Sequence, residues 1–115
     1  MSASQQQAVE LLARAVQHLE RDIPAIYRRA ASLPLVSPEA MAEMTGAVIR
    51  CMEYSRGLFL QAQALSHGDQ ELRARIAART ARLEAVIADR RIELAGWLEI
   101  PVLVAQDEAE RAVKH

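Results

Sequence analysis

Along the first third of the chain, apolar residues recur at alternating spacings of 3 and 4 without a slip. They fall at Val9, Leu12, Val16, Leu19, Ile23, Ile26, Ala30 and Leu33. A period near 3.5 is a helix whose one stripe faces another helix, and a strand cannot satisfy it. Ser4-Gln5-Gln6-Gln7 has the S-x-x-Q form of a capping box and opens the pattern. Pro24 falls inside the seam. A proline there removes one hydrogen bond and crowds the carbonyl of Glu20, so a kink is expected. Asp22 could instead cap a second short helix. Because the register survives Pro24, one kinked helix over about 4–31 is the reading.

A second seam of the same period follows at Met41, Met44, Val48, Cys51, Ser55, Leu58, Ala62 and Leu65. Ser37-Pro38-Glu39 supplies an N-cap, a proline at the first helical position and an acid in the first turn. The helix is expected over 38–65, with Gly68 as a left-handed terminating residue. Asp69 then recaps, and a third helix over 70–98 shows two stripes. One is Leu72, Ile76, Leu83, Ile87, Leu94 and Leu98, with Trp97 at its edge. The other, on the opposite side of the wheel, is Ala74, Ala78, Ala81, Ala85, Ala88, Ile92 and Ala95.

Pro101 is expected to stop this helix, leaving a short charged helix over 105–114 with Asp107 and Glu108 early and Lys114 late. Three rods of about 28 residues with short connections imply an all-α, up-down-up antiparallel bundle plus the short C-terminal helix, as a single domain over 1–115. Around the turn at Gly68, Ser55 is expected level with Thr80, as a polar layer that sets register. Composition agrees: 22 Ala, 13 Leu and 13 Arg stand against 4 Gly and 4 Pro, which excludes an all-β or disulfide-stapled chain.

The charge of −1 gives no global field toward nucleic acid or anionic lipid. No basic and apolar leader and no bilayer-length apolar run are evident, and Cys51 is the only cysteine, so a cytoplasmic protein with no membrane partner is expected. Catalytic groups are sparse. His18, His67 and His115 lie far apart, and no H-x-x-x-H, E-x-x-H or C-x-x-C spacing occurs. Gly46, Gly57, Gly68 and Gly96 are isolated, so no glycine-rich phosphate loop exists. Met41, Met44, Cys51 and Met52 are soft donors of the kind that hold Cu(I), but Met at seam positions reads first as adaptable core packing and Cys51 as an inert small hydrophobe. The expectation is therefore no enzyme, no cofactor and no metal.

Arg75, Arg79 and Arg82 share a face of the third helix and could contact phosphates. Glu71, Asp89 and Glu93 lie on or beside that face, and no aromatic residues interleave for base stacking. A nucleic-acid-associated regulator is thus the runner-up. Surplus apolar surface points elsewhere: Ile49, Met52, Phe59 and Leu60 widen the arc of the second helix, and the alanine stripe and Ile100–Val104, with Val102 and Leu103, have no assigned use. A homodimer that also docks another protein, as an adaptor, export chaperone or inhibitor, accounts for all of these. Ile49, Leu60, Val102, Leu103 and the alanine stripe form the candidate surface.

The stretch Leu72–Leu98, with Ile87-Ala88-Asp89-Arg90-Arg91-Ile92-Glu93-Leu94-Ala95, resembles the third helix of small flagellar and type III export chaperones. It covers about a quarter of the chain. The resemblance implies a cytoplasmic helical bundle that holds an export substrate and carries a mobile C-terminal segment. It assigns no individual residue.

Overall fold

A computed structural model describes residues 2–114; Met1 and His115 lie outside the described residues. The chain is all-helical. α1 (Ala3–Gln17) runs through a π-helical turn (His18–Asp22) into α2 (Ile23–Ala31), and α3 (Pro38–Ala64) and α4 (Gln70–Lys114) follow. The first helix is capped two residues earlier than the sequence suggests. Ser2, not Ser4, makes the capping box: its hydroxyl accepts from the Gln5 N–H at 3.1 Å and the Gln5 side chain accepts from the Ser2 N–H at 3.0 Å. Ser37 and Asp69 cap α3 and α4 as expected, accepting from the N–H groups of Ala40 and Leu72 at 3.1 and 3.0 Å. Gly68 is not left-handed, and no described residue has positive φ. The chain instead leaves α3 through a helical-region cap at Leu65 and a tight turn in which Asp69 N–H donates to the Ser66 carbonyl.

The expected kink at Pro24 is a π turn. In a plain α-helix the Pro24 ring would abut the Glu20 carbonyl. Here the Ile23 N–H reaches back five residues to His18, which widens the ladder just before the proline. A π turn also inserts one residue into the helical register, and the burial shows it. Within and after the turn, Leu19, Ile23 and Ile26 pack on the core as the heptad requires. Before it, the most deeply buried positions are one residue earlier than the heptad seam, although the seam residue Leu12 also packs on the core. Ala8 and Ala15 are fully buried and Leu11 packs on the core, whereas Val9 is 46% exposed.

α3 lies between the other two rods and packs along both. Among the described residues α1 and α4 make no close backbone contact with each other. Being sandwiched explains why α3 buries two seams. Val48, Ser55, Leu58 and Ala62 are buried as expected, and Ala42, Thr45, Ile49, Met52 and Phe59 are buried beside them. Ser55 and Thr80 are both buried but do not bond to each other. Ser55 donates to the Ala15 carbonyl at 3.1 Å, pinning α1 to α3, and Thr80 donates to Ile76 of its own helix at 2.9 Å.

The largest departure from expectation is at the C-terminus. α4 is one helix of 45 residues that passes through Pro101, so neither the stop at residue 98 nor a separate helix over 105–114 exists. At 1.5 Å per residue it is roughly 68 Å long, and it sets the 74 Å long axis of the molecule. Its buried residues, Ile76, Thr80, Leu83 and Ile87, all lie in its first half. The radius of gyration is 19.8 Å, against about 13 Å for a compact domain of this length.

Candidate functional site

Two places on this frame carry more than packing. The first is the π turn. His18 and Asp22 are one turn apart, with the imidazole Nδ1 in hydrogen-bond contact with Oδ2. The Cys51 thiol, from the facing turn of α3, donates to the His18 carbonyl at 3.4 Å. One potential ligand atom from each of His18, Asp22 and Cys51 lies within 4.8 Å of the other two, and all three residues are half-buried. The His18 ring meets Tyr54 edge-on at 4.7 Å between centroids, which limits its rotation. Burial pushes the Cys51 thiol above its usual pKa, and the neighbouring negative charge of Asp22 adds to the effect. Without a cation beside it the sulfur is a protonated thiol and a poor nucleophile.

The second place is the overhang of α4. From Leu98 to Lys114 every residue is exposed. At Ile100, Val102, Leu103 and Val104 the helix is apolar on all sides, with Val102 54% and Leu103 52% exposed. The face that packs on α3 stays half-buried at Leu94 and then runs on through Leu98, Ala105 and Ala112, which are exposed. Nearer the core, an open groove of about 410 Å³ runs between α1 and α4, lined by Val16, Leu19, Phe59, Leu83 and Val86, with Glu20, Arg79 and Arg82 at its edges.

The sequence-derived candidates divide accordingly. Ile49 is 7% exposed and belongs to the core, so it is withdrawn from the candidate surface; α3 uses that side of its arc against its neighbours. Leu60, Val102 and Leu103 are exposed. Ala74, Ala78, Ala81, Ala85, Ala88, Ile92 and Ala95 are exposed without exception, because α4 presents the opposite stripe to α3. Of the basic face, Arg75 is paired with Glu71 at 2.7 Å, and Arg79 and Arg82 border the groove beside Glu20. Met52 is core, and Met44 lines a smaller groove with Ile26 and Leu33, apart from the π turn. No described helix is long and apolar enough to cross a membrane. Comparison with known protein families, with curated proteins and with solved structures finds no match.

The His18–Asp22–Cys51 cluster is absent from the motif reading. Cys51 is 33 residues from His18, so no spacing rule covers the trio. The available signal was the proline six residues beyond His18, since a proline inside a maintained seam forces a local defect, and π turns concentrate at functional positions.

Proposed function

We propose that this chain is a non-enzymatic protein-interaction module, of the adaptor, export-chaperone or inhibitor kind, built on an up-down-up antiparallel arrangement of three rods and working as a homodimer. The observation that carries the reading is the overhang of α4. A helix that is apolar all round is a buried helix. An isolated segment of this length, containing a proline, is marginal in water on its own. The uncovered face continues the one that α3 covers lower down, so the surface that fits it is another helix of the same kind, and a second copy of the chain supplies one. The overhang from Glu99 to Lys114 carries four acidic residues against two basic ones. The groove between α1 and α4 carries Arg79 and Arg82 against one acid, Glu20, and so keeps a net positive charge toward the acidic arm of the other copy, though one too small to favour nucleic acid.

A nucleic-acid role for Arg75, Arg79 and Arg82 has less behind it, because Glu71 neutralises Arg75 and Glu20 stands beside the other two. Light scattering on the full chain, on V102D/L103D and on a chain ending at Leu98 tests the proposal. None of these changes touches a buried residue. The expected result is a dimer for the full chain and a monomer for both variants. A full chain that stays monomeric at high concentration, or variants that remain dimeric, would overturn it.

A further inference from the structure

The π turn brings together an imidazole, a carboxylate and a thiol from two different helices, at the one point where the backbone ladder of the first rod is widened. We propose that His18, Asp22 and Cys51 form a binding site for a zinc-like divalent cation, with three protein ligands and water in the fourth position. The donor set suits the ion: nitrogen, oxygen and sulfur are the three ligand types zinc accepts, and three protein ligands with an open fourth position is the arrangement of its solvent-accessible sites. Metal–ligand bonds of about 2.0–2.3 Å place tetrahedral ligand atoms roughly 3.3–3.7 Å apart. The three groups already lie within 4.8 Å of one another, so side-chain adjustments of about an ångström close the set.

The partial exposure of His18 and Asp22, at 32% and 46% of their side chains, leaves a route for the ion and its water. Tyr54 against the imidazole keeps the ring from turning away. On binding, the cation replaces the contact between His18 and Asp22, the thiol releases its proton to solvent, and any imidazole that is protonated releases one as well, so that a neutral His18 and a Cys51 thiolate ligate the ion. The same site ties α1 to α3 across the turn where the rod is least regular, so an occupied site holds the two helices together at their weakest joint.

The test is titration of the reduced full-length protein with Co(II), followed by displacement with Zn(II). The expected result is one Co(II) per chain with a thiolate-to-cobalt charge-transfer band that Zn(II) abolishes. C51S should lack the band, and H18Q and D22N should bind at least about tenfold more weakly. Zn(II) should raise the melting temperature of the wild type and leave that of D22N unchanged. If C51S fails to fold, H18Q and D22N decide the matter, since both residues are partly exposed. No charge-transfer band in the wild type, or unaltered affinity in H18Q and D22N, would overturn the site.

Discussion

The one-residue shift at the π turn can be tested by exchanging volume between neighbouring positions. The uninterrupted heptad puts Val9 and Val16 in the core and leaves Ala8 and Ala15 at its edge; in the folded chain Ala8 and Ala15 are at 0% exposure, Val9 is exposed and Val16 is only half-buried. Ala15→Leu therefore forces three extra carbons into a contact that has no room for them. Overpacking of this kind costs about 1–3 kcal/mol. Separating α1 from α3 at that point also strands the buried Ser55 hydroxyl, which reaches the Ala15 carbonyl at 3.1 Å. An unpaired buried hydroxyl costs about 1–3 kcal/mol more. The expected destabilisation is about 2–6 kcal/mol. Val9→Ala removes two methyl-sized groups that are already 46% exposed. At about 0.8 kcal/mol per buried carbon this is worth roughly 0.8 kcal/mol, and alanine's better helix propensity returns about half of it. Urea unfolding of both variants gives the comparison, with the m-value confirming that the same surface is exposed each time. If Val9→Ala costs as much as Ala15→Leu, the register inferred from the π turn is wrong.

Thr45→Val should stabilise the chain by about 1 kcal/mol, because the Thr45 hydroxyl is buried on α3 with no hydrogen-bond partner, and removing it leaves nothing unpaired; a loss of stability in the same unfolding assay would mean that the hydroxyl has a partner. In the presence of a chelator, alkylation of Cys51 should reach half its limiting rate at a higher pH than in the unfolded chain, because burial and then Asp22 raise its pKa and only the thiolate reacts. The linked stability is complete below the unfolded thiol's pKa and falls as pH rises toward the folded value. D22N should lower the midpoint without bringing it to the unfolded value, since burial is the larger cause; an equal midpoint in folded and unfolded chains would contradict both points.

The parts of the fold that were readable in the sequence are those governed by neighbours along the chain. Ser37 and Asp69 act as caps because a cap needs only the next three residues. Val48, Leu58, Ile76 and Ile87 are buried because a heptad marks a face wherever the helix is regular. Ile49 and Phe59 required knowing that α3 has a neighbour on each side, which no pattern within α3 states. The candidate cation site depended on the pairing of α1 with α3 and on the inserted residue together, and neither is local.

The two prolines inside helices show how context decides the outcome of one rule. Pro24 lies where α1, the π turn and α2 all pack on α3, so the rod has to stay continuous and the strain is absorbed one turn upstream, where the Ile23 N–H bonds to His18 instead of its α-helical partner. Pro101 frees the carbonyl of Trp97 at the start of a stretch with no core beneath it. Water can take up that carbonyl, and the residues beyond are strong helix formers with an Asp107–Arg111 pair at 3.2 Å. Local preference favours a helix beyond Pro101, but it works against about 3 kcal/mol for the proline and against the exposure of Ile100, Val102, Leu103 and Val104. On the proposed function, docking of a second copy supplies the balance. The proposed dimer contact is therefore placed on the overhang rather than on the alanine stripe. It also ties helix formation there to docking: hydrogen exchange over 99–114 should slow as protein concentration rises, while exchange in the Ala8–Ile87 core stays constant. Exchange over 99–114 that is independent of concentration would mean that the second copy is not what orders it.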